Sequence, residues 1–254
     1  MSSATVSYVE PSADTLMIAL GTGLAKYTLP CTSSAMPSTG AWSSNHYDVD
    51  TELAVQNSAF GVTHATGHTK AYPDGADGNE RAAKYVRCVS GDDYGINEVT
   101  NNGDGTVTDA ATGLMWAQED SAEGMDWESA LAWAATANEE NYLGYSDWRV
   151  PDVKELQSIV DYSGAYPAID NDLFMITDED SYFWSSTSAC FSPEDPGYYY
   201  AWYVAFGYAV AGEGNDTHGA GAVRFDTKAE GGPAGEEPER IFNYVRLVRD
   251  VQRD

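Results

Sequence analysis

The sequence predicts an α+β fold: two helices packed on antiparallel strands, with long loops between them. Only two stretches space their apolar residues as a helix does, one near 127–138 and one after Pro151. Several short runs rich in Tyr, Trp, Phe and Val follow them. Helices and strands come in blocks rather than in alternation, which separates this class from a parallel α/β sheet.

The elements follow in order. Val99 to Gln118 reads as a hairpin. Asn102-Gly103-Asp104-Gly105 has turn chemistry, and Thr106-Val107-Thr108 and Leu114-Met115-Trp116 flank a second turn at Thr112-Gly113. Asp126 is placed to cap a helix from Trp127 to about Asn138, with Trp127, Ala130, Leu131 and Ala134 forming its apolar stripe. Asp152 and Glu155 form a capping-box pair after Pro151, with Val153, Leu156 and Val160 on one face. Strands are expected over Tyr182–Thr187, Tyr199–Phe206 and Phe242–Val248, with Gly-, Glu- and Pro-rich connections. In the last of these, Val245 and Leu247 point one way and Tyr244, Arg246 and Val248 the other.

The chain also resembles itself. Lys84-Tyr85-Val86-Arg87-Cys88-Val89 is similar to Asn243-Tyr244-Val245-Arg246-Leu247-Val248. Ala41-Trp42-Ser43-Ser44 is similar to Phe183-Trp184-Ser185-Ser186, and Ala59-Phe60-Gly61 to Ala205-Phe206-Gly207. The order is the same in both sets, and the second is longer, mostly after Gly207. Residues 1–90 therefore read as the back half of a unit and residues 91–254 as a complete one. Cys88 takes the place of Leu247, which suits a buried small apolar residue.

Composition sets the outer bounds. Forty acidic residues stand against 13 basic ones, a net charge of −27. Such a chain presents no general positive field to nucleic acid or to an anionic membrane. It suits a salty medium or an acidic extracellular protein equally. No apolar run reaches the length of a membrane helix, so no membrane insertion is expected, and no leader is read at Met1. Cys31, Cys88 and Cys190 match no metal spacing; one disulfide and none are both open.

Individual motifs favour structural roles. Asn102 to Asp109 looks superficially like a calcium loop, but the twelfth position, where an EF-hand needs Glu, is Gly113. Asp147-Trp148-Arg149 reads as a core tryptophan with Asp147 paired to a buried arginine. Trp184-Ser185-Ser186-Thr187 lacks the Gly-x-Ser-x-Gly elbow and suits a scaffold element. No catalytic residue, metal site or cofactor is expected. The candidate ligand face comprises Tyr199 and Trp202 with Asn215, Asp216, His218 and Arg224 from a long loop. Aromatics stack on apolar faces, and the polar members exchange hydrogen bonds with hydroxyl or carboxyl groups.

Six ordered motifs carry a family resemblance. They are Asn102-Gly-Asp-Gly-Thr-Val-Thr-Asp109, Thr112-Gly-Leu-Met-Trp116, Gly144-Tyr-Ser-Asp-Trp-Arg-Val-Pro151, Lys154-Glu-Leu-Gln-Ser158, Trp184-Ser-Ser-Thr187 and Tyr244-Val-Arg246. Together they resemble the Lcl C-terminal domain-like family. The resemblance implies a C-type-lectin-like fold in a secreted or surface protein. It also implies an adhesin-like module binding a glycan or protein ligand, sometimes as a homo-oligomer. Two alternatives stand beside this: a purely structural module of a larger surface protein, and an enzyme of the related formylglycine-generating fold.

Overall fold

The computed structural model describes residues 16–20, 24–27, 47–50, 55–62, 67–73, 86–89, 96–162, 166–189, 199–209, 218–230 and 240–251. Up to residue 59, and at 72–73 and 86–89, only the backbone is described. The fold is α+β. In chain order the early strands are β1 (Leu16–Leu20), β2 (Leu24–Tyr27), β3 (Tyr47–Asp50), β4 (Val55–Val62), β5 (Thr69–Pro73) and β6 (Val86–Val89). Then come β7 (Val99–Asn101), β8 (Thr106–Asp109), β9 (Leu114–Ala117), α1 (Trp127–Glu139) and α2 (Val153–Ser158). The series closes with β10 (Tyr182–Ala189), β11 (Tyr200–Ala205), β12 (Val223–Thr227) and β13 (Val248–Asp250).

These strands make three antiparallel sheets, ordered β2-β1-β6, β10-β11-β12-β5-β4-β3 and β13-β9-β8-β7. The middle sheet runs from the C-terminal part of the chain into the N-terminal part. Its join is β12 against β5, registered at Val223 and Thr69. Ala71 N adds a bond to His218 O at 2.8 Å. Phe60 of β4 is buried against Tyr162, edge to face at 5.2 Å.

Local chemistry explains the first elements. Asn102 Nδ2 donates to the hydroxyls of Thr106 and Thr108, both at 2.8 Å, and Asp104 accepts from Thr106 N and Oγ1. The acids and amides of the calcium-like stretch thus brace the β7–β8 turn. Asp126 caps α1 by accepting from Ser129 N at 2.7 Å. At α2 the capping box is complete: Asp152 accepts from Lys154 N and Glu155 N, and Glu155 accepts from Asp152 N.

Both faces of β10 and β11 are covered. On one side lie α1, Trp148, Trp184, Tyr203, Val245 and Leu247. On the other lie Leu156 of α2, Trp116, Phe183, Val204, Phe206 and Val248. The alternation expected for the last segment holds, since Val245 and Leu247 fall in the first layer and Val248 in the second. Trp148 and Trp184 are core residues, with ring nitrogens donating at 2.8 Å to Tyr142 O and Met125 O.

Three expectations change. The segment from Phe242 to Val248 is not one strand: Asn243 and Tyr244 make isolated bridges and β13 begins at Val248. Arg246 interrupts it by turning inward to bind carbonyls of two other segments. In α1 the buried stripe is Ala130, Ala134 and Ala137, while Leu131 is exposed. Three alanines let the helix lie close to the sheet, so the stripe is narrower and rotated. The stretch from Asn215 to Arg224, expected to be a long loop, runs into β12, and its described part, 218–224, is buried throughout. It forms the join to β5, which a reading of this segment by itself does not reveal.

Candidate functional site

Strand alternation decides which of the expected ligand residues can share a face. In the β11–β12 register Trp202 stands opposite Phe225, and Tyr203 opposite Arg224. Trp202 and Arg224 therefore lie on opposite sides of the sheet. Arg224 and His218 are each 3% exposed, and Arg224 Nη1 lies 3.2 Å from His218 Nδ1. Tyr199 is exposed just before β11. Asn215 and Asp216 lie outside the described residues. The expected set is thus divided: Trp202 looks out on one side, while His218 and Arg224 are buried.

What gathers around Trp202 is aromatic. Phe225 meets Trp202 edge-on at 6.0 Å and Tyr200 at 5.3 Å. His68, just before β5, lies 5.8 Å from Phe225 and 6.4 Å from Trp202. All four rings are half-buried, so they form a strip that is both packed and accessible. Gly67 has φ +88°, and a Cβ there would rest 3.5 Å from the Trp202 ring. The N-terminal part of the chain therefore contributes one wall of this strip. His68 escapes sequence reasoning because its contacts are made across the β5–β12 join.

The opposite side holds a polar cluster. Asn243 Nδ2 donates to Asp226 Oδ2 at 3.3 Å, and among the described residues the buried Asn243 Oδ1 has no hydrogen-bond partner. Burial pushes the Asp226 carboxyl up to about 7, against the opposing pull of the Asn243 bond and of Arg240 and Arg224. Lys228 sits 3.9 Å from the Trp127 ring centre and donates to Ser188 Oγ at 2.6 Å. Its own pKa is lowered by burial.

Residues considered as nucleophiles or acid–base groups are tied into the scaffold. Ser185 Oγ donates to Trp202 O at 2.7 Å and Ser186 Oγ to Pro151 O at 3.2 Å. Thr187 Oγ1 accepts from Val153 N at 3.1 Å. Asp147 pairs with the buried Arg249 at 2.6 and 3.0 Å, as the sequence suggested. That guanidinium holds the Asp147 carboxyl below the usual carboxylate range. Arg149 instead pairs with Glu155 and Asp250.

A second aromatic feature lies beyond the far end of β11. Tyr166 and Tyr208 stack with centroids 4.2 Å apart and planes at 28°. Each is 40% exposed, and Tyr166 Oη donates to Asp180 Oδ1 at 3.1 Å. Neither tyrosine stood out in the sequence; the only signal is that Tyr208 directly follows the Ala205-Phe206-Gly207 motif.

Among the described residues no group of His, Cys, Asp and Glu is arranged to hold a metal ion, and no helix is long and apolar enough to cross a membrane. Residues 105–225 match the Lcl C-terminal domain family. No curated protein and no solved structure matches the chain.

Proposed function

On the premise that residues 105–225 are an Lcl C-terminal domain, we propose that the protein is a non-enzymatic binding module that recognises a glycan or protein ligand. In this reading the fold is C-type-lectin-like, and the module works outside the cell or on its surface in an adhesin-like role. The observation that carries the reading is the half-buried strip of Tyr200, Trp202, Phe225 and His68. Packed yet accessible aromatics give contact area at low entropic cost, the usual chemistry of sugar faces and protein hot spots. A net charge of −27 favours a neutral or cationic ligand over a sulfated one.

A glycan and protein array probed with the full chain identifies the ligand. Tyr200→Ala and Trp202→Ala are then compared with the parent. Each should weaken binding at least about tenfold, roughly 1.4 kcal/mol. Unchanged affinity in both folded variants removes the ligand from this strip. An array with no hit favours the purely structural module.

A further inference from the structure

We propose that the stacked Tyr166–Tyr208 pair, bordered by Asp180 and Glu179, is a second binding site, one that takes a cationic group such as a lysine or arginine side chain of a protein partner. It lies beyond the end of β11 opposite to Tyr199 and does not depend on the Trp202 strip.

Four features build the site. First, the two rings form an offset stack at 4.2 Å while each keeps 40% of its surface open. A stacked pair is rigid and presents the negative face of a ring quadrupole to any cation above it. Second, Glu179 and Asp180 are both exposed beside it. Asp180 is held in place by the Tyr166 hydroxyl at 3.1 Å, and Asp178 Oδ1 accepts from Asp180 N at 3.0 Å. Third, the acidic run is locked to the aromatic pair. A Cβ at Gly207 would lie 1.4 Å from Glu179 O, so only glycine lets the Glu179 backbone close over the residue before Tyr208. Ala168 N donates to Phe206 O at 2.6 Å, which ties the segment after Tyr166 to the same place. Fourth, the chemistry already occurs next door. Arg240 lies 4.2 Å over the Tyr182 ring and donates to Asp180 O at 2.8 Å. It uses the carbonyl of Asp180, while the carboxylate faces Tyr166.

Charge complementarity selects the occupant. Ring faces attract cations, the border is acidic, and the chain as a whole carries −27. An anionic ligand meets the Asp180 and Glu179 carboxylates here. Burial and the neighbouring Asp180 and Glu179 push the Tyr166 phenol up, so it stays neutral and keeps its proton on the Asp180 bond.

Tetramethylammonium and the neutral neopentyl alcohol, similar in shape, serve as probes of the full-length protein at constant ionic strength. Ring signals of Tyr166 and Tyr208, assigned with single Tyr→Phe variants, are followed by NMR. Tetramethylammonium should shift both rings saturably, and the alcohol should not. Asp180→Asn and Glu179→Gln together should weaken the response at least threefold, and Tyr208→Ala should abolish it. Equal shifts by the alcohol, shifts spread evenly over the other tyrosines, or an undiminished response in the folded Tyr208→Ala variant would each overturn the proposal.

Discussion

Arg246 is fully buried and directs its donors to backbone carbonyls. Nη1 reaches Ala117 O at 3.0 Å and also Gln118 O, and Nη2 reaches Met175 O at 2.6 Å. Its Nε has no hydrogen-bond partner among the described residues. Burial lowers its pKa to about 10, which still leaves it charged at neutral pH. The residue therefore fastens the segment after β9 to the loop before β10. Arg246→Leu strips donors from buried carbonyls and should cost about 3 kcal/mol or more in urea unfolding. Arg246→Lys should recover only part, because one ammonium cannot span the carbonyls that a planar guanidinium reaches. Asp226 gives a pH signature. Its folded pKa is raised from 3.8 to about 7, so between those values the folded state holds a proton that the unfolded state has released. That contribution is complete below pH 3.8 and is lost as pH rises through about 7. A protonated Asp226 can also supply the donor that the Asn243 amide oxygen lacks, once the amide is turned over. Asp226→Asn should therefore look relatively more stable at pH 8 than at pH 4 in paired urea titrations. A constant difference across that range would remove Asp226 from the account.

At the scale of elements, what the sequence discloses is what local chemistry decides. The caps at Asp126 and Asp152 depend on residues within three positions, and both form as read. Asp147 pairing with a buried arginine was also legible, although the choice of Arg249 over Arg149 was not. Tertiary contact decides the rest. Leu131 fits the helical period as well as Ala130 does, and only the approach of the sheet selects alanine for the inner face. β12 hides in a glycine-rich stretch because its neighbour β5 comes from far away in sequence. The candidate ligand face was half legible for the same reason. Trp202 stands where an aromatic strand should put it, but strand parity sends Tyr199 and Arg224 to the other side. Gly207 offers a sharp test at this scale. Gly207→Ala must displace the Glu179 backbone, and overpacking of this kind should cost about 3 kcal/mol. A thermal melt unchanged from the parent would mean that the acidic run yields freely.

For the whole molecule, charge is the dominant long-range force. Forty acids against 13 bases repel one another, and salt shortens the reach of that repulsion from about 10 Å at 0.1 M to about 3 Å at 1 M. The melting temperature should rise between those two sodium chloride concentrations; a fall would show that attractive ion pairs such as Arg149–Glu155 outweigh the repulsion. Reading outward from the β5–β12 join, β4 and β3 lie on one side and β11 and β10 on the other. Each side is a strand meander with extensive internal register, whereas the join has a single registered pair, Val223 with Thr69. The join is therefore a tear line. A load applied across it would open the sheet there by peeling, a bond at a time, while the three strands on each side held together. A protein hinged in this way would lengthen under tension before it unfolded, and an optical trap would record that step as a small extension at low force.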